Sequence, residues 1–175
     1  MALNEVRGQG GSTCFVVRVE RDDAEALERT MQSILRQTEP FWEVLLSPVK
    51  GVDSIVDTWL DIDWRIRRLP EAEDDRDSLT SAALYATSHF MGLIAQGDTV
   101  DDELVQRISG AARLRPDLDR VRTDGARILD DSGSSDDPVR PPDIPRPVGS
   151  SGAFVALRKA RLLEAGNDAA WRNSH

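Results

Sequence analysis

The sequence predicts an α/β fold with a mainly parallel sheet covered by helices on both faces. Three observations predict it. Candidate strands and helices alternate over residues 14 to 114. Strand candidates such as Cys14-Phe15-Val16-Val17 and the run from Phe90 to Ala95 read as buried, which suits parallel strands packed on both faces. The helix candidates carry their apolar residues on one side, as Leu27, Met31, Ile34 and Leu35 do.

The elements follow in order. Residues 1 to 13, with Arg7-Gly8-Gln9-Gly10-Gly11-Ser12, read as a flexible lead-in. Their glycines precede the first strand instead of following it, and no Gly-Lys-Ser/Thr follows, so they do not make a phosphate loop. Residues 14 to 19 are the first strand. Asp22 and Asp23 supply an N-cap and first-turn charge for a helix that closes before Pro40. Trp42 to Leu46 is the second strand, Val52 to Trp59 a short helix, and Arg65 to Leu69 an alternating strand near an edge. The charged run from Glu71 to Asp77 reads as a solvated loop, since nothing in its spacing completes a metal shell. Leu79 to Ser88 is a helix and Phe90 to Ala95 a buried strand. Asp101, Asp102 and Glu103 place negative charge at the start of the next helix, whose buried side is Leu104, Val105, Ile108 and Ala111. Asp119 to Thr123 and Ala126 to Leu129 are short strands. Residues 130 to 151 are a loop rich in Pro, Gly and Ser. Gly152 to Leu157 is a strand and Lys159 to Ala165 a helix with Gly166 after it. Residues 167 to 175 read as a frayed end. A single domain over 14 to 166 is therefore expected.

Composition narrows the function. The chain has 175 residues and a formal charge of −9, a poor match to nucleic acid or an anionic membrane surface. The short basic cluster Arg65, Arg67, Arg68 is the exception. Four Trp, four Phe and one Tyr are too few for a carbohydrate-binding face of stacked rings. The single cysteine, Cys14, excludes an internal disulfide and a cysteine-rich zinc site. The first residues lack a signal-peptide pattern, and no apolar run is long enough to span a bilayer. The cytoplasm is the expected compartment.

Few residues are equipped for chemistry. The histidines are His89, where a helix becomes a strand, and the terminal His175. With them and one cysteine, neither a hydrolase triad nor a His/Cys zinc site can be assembled, and Gly-x-Ser-x-Gly does not occur. Carboxylates remain. Asp98 and Asp124 each follow a candidate strand next to a glycine, on the rim where α/β folds bind ligands. Two readings of each stand. Asp98 caps the next helix or contacts a ligand; Asp124 shapes a turn or contacts a ligand. The loops at 20–23, 47–51, 70–77, 96–101 and 124–151 frame that rim.

The segment LERTMQSILRQTEPFWEVLL, residues 27 to 46, carries Leu27, Ser33, Ile34, Gln37, Thr38, Trp42, Glu43 and Val44 in a characteristic spacing. Three further segments follow in order, at 81–108, 119–133 and 152–166. Together they resemble the inverting family 2 glycosyltransferases. The resemblance implies a GT-A fold of the nucleotide-diphospho-sugar transferase type, divergent and C-terminally short. It implies a nucleotide-sugar donor, a glycan or lipid-linked acceptor, and Mn²⁺ or Mg²⁺ as the usual cofactor.

The resemblance also marks departures. The family's acid after the second strand falls on Ser47-Pro48-Val49-Lys50, and its first-loop Asn approximately on Arg21. Its metal-holding Asp-x-Asp falls on Ala95-Gln96-Gly97, leaving the adjacent Asp98. Its Asp-Glu-Asp segment falls on Asp124-Gly125-Ala126. Its later Glu-Asp pair, the source of the catalytic base, matches no residues up to His175. The sequence thus assigns no catalytic residue and no metal ligand, and keeps Asp98 and Asp124 as donor-site candidates. Arg65, Arg67, Arg68 and Arg122 are the fixed cations available to replace a metal. Two functions are expected: a nucleotide-sugar-dependent transferase with a degenerate Asp-x-Asp motif, or a non-catalytic module that packs against a protein partner or another copy of itself.

Overall fold

The computed structural model describes residues 11–124, 127–129 and 153–164. The elements are β1 (Thr13–Val19), α1 (Ala24–Leu35), β2 (Trp42–Pro48), α2 (Asp53–Leu60), β3 (Ile66–Arg68), α3 (Asp75–Tyr85), β4 (Phe90–Ala95), α4 (Leu104–Leu114), β5 (Arg120–Asp124), β6 (Arg127–Leu129) and β7 (Ala153–Arg158). Residues 159–164 are helical. Residues 1–10 of the expected lead-in, the loop expected at 130–151, the expected glycine stop at Gly166 and the end after it lie outside the described residues; the rest of the lead-in is corrected, since β1 starts at Thr13 and Ser109 Oγ donates to Gly11 O at 2.8 Å.

One seven-stranded sheet has the order β3-β2-β1-β4-β7-β5-β6. β3, β2, β1 and β4 run parallel, and β7 runs antiparallel to both β4 and β5. The mainly parallel α/β sheet expected from the sequence is the observed one. Because β2 and β3 lie on one side of β1 and β4 on the other, the strand order reverses between β1 and β4. Such a reversal opens a crevice at the C-terminal ends of the strands.

Alternation along β1 divides the core. Phe15, Val17 and Val19 face α1, α2 and α4, where Leu27, Met31, Val56, Trp59 and Ile108 pack. Cys14 and Val16 face the other side, with Leu79, Ala82 and Ala83 of α3. Gly92 lies under Phe154 of β7, whose ring reaches Phe15 at 5.5 Å between centroids.

Caps set the helix boundaries. Asp23 Oδ1 accepts from Ala26 N at 3.0 Å and starts α1. Asp74 Oδ1 accepts from Asp77 N at 2.8 Å, so α3 begins at Asp75, before the expected Leu79. Its first turn lacks apolar residues because it packs on a buried arginine, Arg18, and periodicity therefore misses it. α3 stops at Tyr85 instead of Ser88, because buried Glu43 takes the N–H groups of Thr87 and Ser88, each at 2.7 Å.

Candidate functional site

The parallel strands deliver the loops 20–23, 49–52, 69–74 and 96–103 to one rim of the sheet. Register extends it across β7. Asp124 pairs with Ala153, and β5 runs in the same direction as β4. The backbone of Asp124 therefore lies on the rim that carries Asp98.

The floor of the rim is Arg18. It sits in an otherwise apolar strand, with its side chain 5% exposed. A buried guanidinium requires partners for its charge and its N–H groups. Nη1 donates to Asp74 O at 2.8 Å and Ser78 Oγ at 2.7 Å, and Nη2 donates to Glu73 O at 2.8 Å. Nε donates to Glu20 at 2.9 Å and lies 3.4 Å from Asp75. Burial pushes the Asp75 carboxyl above its ordinary range, against the pull of Arg18. The 71–77 run is thus part helix and part counter-charge for Arg18, where a solvated loop is expected.

The second fixed point is Gln96, buried beside the crevice between β1 and β4. Its Oε1 accepts from the N–H groups of Glu20 and Arg21 at 3.2 and 3.0 Å. Its Nε2 donates to the carbonyls of Arg21 and Asp23 at 2.9 and 2.8 Å. Both ends of the amide are committed to the loop after β1. The next residue, Gly97, has φ of 100°, a conformation that suits glycine and strains a side-chain-bearing residue. Asp98 N closes the turn on Ala95 O at 3.1 Å.

Three residues of α1 and the turn after it hold the far side of this loop. Thr30 Oγ1 accepts from Gly97 N at 2.9 Å, and Ser33 Oγ accepts from Val100 N at 3.1 Å. Gln37 donates to Asp101 O at 2.6 Å and accepts from Val105 N at 2.9 Å. Ser33 and Gln37 in the 27–46 segment are therefore scaffold for the rim loop.

Asp98 is half-buried on the turn. It does not cap α4, whose N-cap position is Glu103, so the capping reading is corrected: five residues of loop intervene. Asp124 pairs directly with Arg127 in the antiparallel ladder of β5 and β6. Asp98 and Asp124 share the rim and are separated by β7.

The basic cluster is also corrected. Arg65 binds Asp63 at 2.7 Å and stacks over Trp42 at 3.5 Å. Arg67 pairs with Glu43, and Arg68 with Asp53 and Asp57. All three tie β3 to neighbouring elements, with their charge met by carboxylates of this chain. His89 Nδ1 lies 3.0 Å from Ser12 Oγ at the start of β4, the end away from the rim. Cys14 is buried, which pushes its thiol pKa up.

A hard divalent cation needs several anionic oxygens. Ala95 and Gly97 offer no side-chain oxygen, and Gln96 Oε1 is engaged. Among the described residues no group of three or more His, Cys, Asp or Glu is placed to hold a metal ion. The described rim does not fit Mn²⁺ or Mg²⁺. Among the described residues, no helix is long and apolar enough to cross a membrane.

Sequence reasoning missed Arg18 and Gln96. An arginine inside an apolar strand is the signal for the first. For the second, the sequence offers only a glutamine at a strand end.

No family model matches the chain, and no curated protein matches it in sequence. Solved structures do match in fold. The mannosyltransferase PcManGT from Pyrobaculum calidifontis, in complex with GDP-Man and Mn²⁺, has a TM-score of 0.55 at 15% identity, over 90% of this chain and 47% of that one. S. aureus TarS 1-349 in complex with UDP has a TM-score of 0.52 at 14% identity, over 62% of this chain and 34% of that one. The same TarS segment in complex with UDP-GlcNAc gives 0.52 and 14%, over 62% and 33%. The chain spans less than half the length of each. The fold is GT-A-like.

Proposed function

We propose that this chain is a glycosyltransferase-like domain that holds a nucleotide sugar on the rim between β1 and β4, without a divalent metal. The observation that carries the reading is the Gln96 clamp. It fixes the loop after β1 against the turn after β4, where a sheet with this strand order binds ligands. Asp98 and Asp124 are the carboxylates proposed to accept from the donor's hydroxyls. A glycan or lipid-linked acceptor is the partner this reading requires. The nucleotide diphosphate or nucleotide-sugar ligands of PcManGT and TarS support it by analogy of fold. The test is a screen of UDP- and GDP-sugars for binding and for turnover, in chelator and in Mn²⁺. Binding that is unaffected by chelator supports the reading; no binding to any nucleotide sugar removes it.

A non-catalytic docking role is the second reading, and one feature favours it. Phe41, Ile62 and Trp64 are exposed at 52%, 56% and 83%, next to the starts of the neighbouring strands β2 and β3. Exposed apolar groups gathered at one edge are a mark of protein contact. Self-association that ends on Trp64→Ser, in a chain that binds no nucleotide, would favour this reading.

A further inference from the structure

The basic residues of this acidic chain divide into two sets. Most are engaged. Arg18, Arg36, Arg65, Arg67, Arg68, Arg107, Arg115, Arg158 and Arg161 all sit in ion pairs. Among the described residues, five basic side chains make no ion pair and no hydrogen bond: Arg21, Arg29, Lys50, Arg76 and Arg122. Their positions are not scattered. Arg21 follows β1, Lys50 follows β2, Arg76 opens the helix after β3, and Arg122 lies two residues before the end of β5. Arg29, on α1, puts Nη2 within 3.9 Å of where a Cβ on Gly97 would stand, beside the turn after β4. Arg21, Arg29, Lys50 and Arg76 therefore belong to the C-terminal rim, while Arg122 sits in the middle of β5 opposite Val155.

Many rim acids, by contrast, are already engaged. Asp23 and Asp74 cap helices. Glu20 and Asp75 face Arg18, Asp101 and Glu103 face Arg107, and Asp102 faces Arg36. Among the described residues of this chain of charge −9, four of the five unengaged cations thus lie on one edge.

The Arg21 backbone and the Arg29 guanidinium both border the turn after β4. The Arg21 backbone is clamped by the Gln96 amide through its N–H and its carbonyl, so its exposed side chain starts from a fixed base. The Arg29 guanidinium stands beside the next residue, Gly97. The geometry points to a metal-free anion site in which Arg21 and Arg29 neutralise the diphosphate of the bound ligand, with Lys50 adding charge from the loop after β2. This rests on the nucleotide-sugar reading above and extends it to how the charge is held. Guanidinium groups suit this, because each presents paired N–H donors to phosphate oxygens.

The experiment titrates UDP, GDP and inorganic pyrophosphate by ligand-observed NMR in chelator, with the native chain, Arg21→Ala, Arg29→Ala, the double variant and Arg161→Ala as control. Both arginines are exposed, so the variants keep the core, which circular dichroism checks. A charge-assisted hydrogen bond is worth about 1.5–3 kcal/mol, so each single variant is expected to weaken binding about tenfold to a hundredfold. The control and added Mn²⁺ are expected to change nothing. UDP bound equally well by the double variant overturns the inference and leaves the nucleotide reading standing. Pyrophosphate bound through the two arginines, with UDP and GDP ignored, upholds the inference and removes the nucleotide reading. No binding of any of the three removes both.

Discussion

Gln96 grips Arg21 from both sides: its Oε1 accepts from the Arg21 N–H at 3.0 Å, and its Nε2 donates to the Arg21 carbonyl at 2.9 Å. Only a primary amide offers an acceptor and two donors in this arrangement. Gln96→Glu removes both donors and sets a carboxylate against the carbonyls of Arg21 and Asp23. Asp23 O keeps the Leu27 N–H at 3.1 Å, so the Arg21 carbonyl is the one that loses its donor, and a loss of about 1–3 kcal/mol is expected in urea unfolding. A Gln96→Glu chain within about 0.5 kcal/mol of the native one would show that the clamp does not matter to the fold.

Gly92 is the narrowest point of the core. A Cβ there would collide with the Phe154 ring and come within 2.7 Å of Val155 O. Gly92→Ala must push β7 away from β4 or turn Phe154 off Phe15. Overpacking of this kind costs about 1–3 kcal/mol or more. Thermal unfolding of the variant should show a clear drop in Tm, and an unchanged Tm would contradict the packing described for β4 and β7.

Two carboxylates give pH dependences of opposite sign. The hydrogen bond from Arg65 holds Asp63 below its ordinary pKa. Its stabilisation is present above the unfolded value, about 3.9, and is lost as pH falls through the lower folded value. Burial holds Asp75 above its ordinary pKa. Its protonated form is favoured by folding, so its contribution to stability falls as pH rises from about 3.9 through the folded value. Urea midpoints between acid and neutral pH should show Asp63→Asn destabilising at pH 7, with the difference fading in acid. Asp75→Asn should be neutral to stabilising at pH 7, and that difference should also fade in acid. Equal signs at pH 7 would refute the assignment.

Divalent metal is expected to leave the chain alone. Calorimetric titration with Mn²⁺ should give no binding below the millimolar range, because the turn after β4 presents Asp98 without neighbouring carboxylates at 95 or 97. Micromolar affinity abolished by Asp98→Ala would contradict this.

Much of the scaffold was legible in the sequence. The apolar runs and the 27–46 segment locate β1, α1, β2 and β4, because parallel strands and amphipathic helices impose strong patterns. The start of α3 was not legible, since its first turn meets Arg18 and carries no apolar signal. The site was legible only in outline. Strand ends point to Asp98 and Asp124, but a clamp such as Gln96 depends on backbone groups 73 to 76 residues away in sequence, those of Asp23, Arg21 and Glu20. Arg65, Arg67 and Arg68 look like a basic patch because composition does not reveal that Asp63, Glu43, Asp53 and Asp57 neutralise them.

The rim between β1 and β4 is proposed to hold a nucleotide diphosphate without metal. The most direct measurement is the affinity for UDP and GDP by calorimetry or ligand-observed NMR, with and without chelator. The family resemblance implies that the base lies over the end of β2 and the loop after it, where the side chains of Pro48 and Lys50 offer its N–H no acceptor, and a missing acceptor costs about 1–3 kcal/mol. The account predicts weak binding of both nucleotides, with a Kd of about 1 mM, little preference between them, no gain from Mn²⁺, and weakening by Asp98→Ala or Asp124→Ala. A low-micromolar Kd that appears only with Mn²⁺, or no binding of either nucleotide, would contradict it.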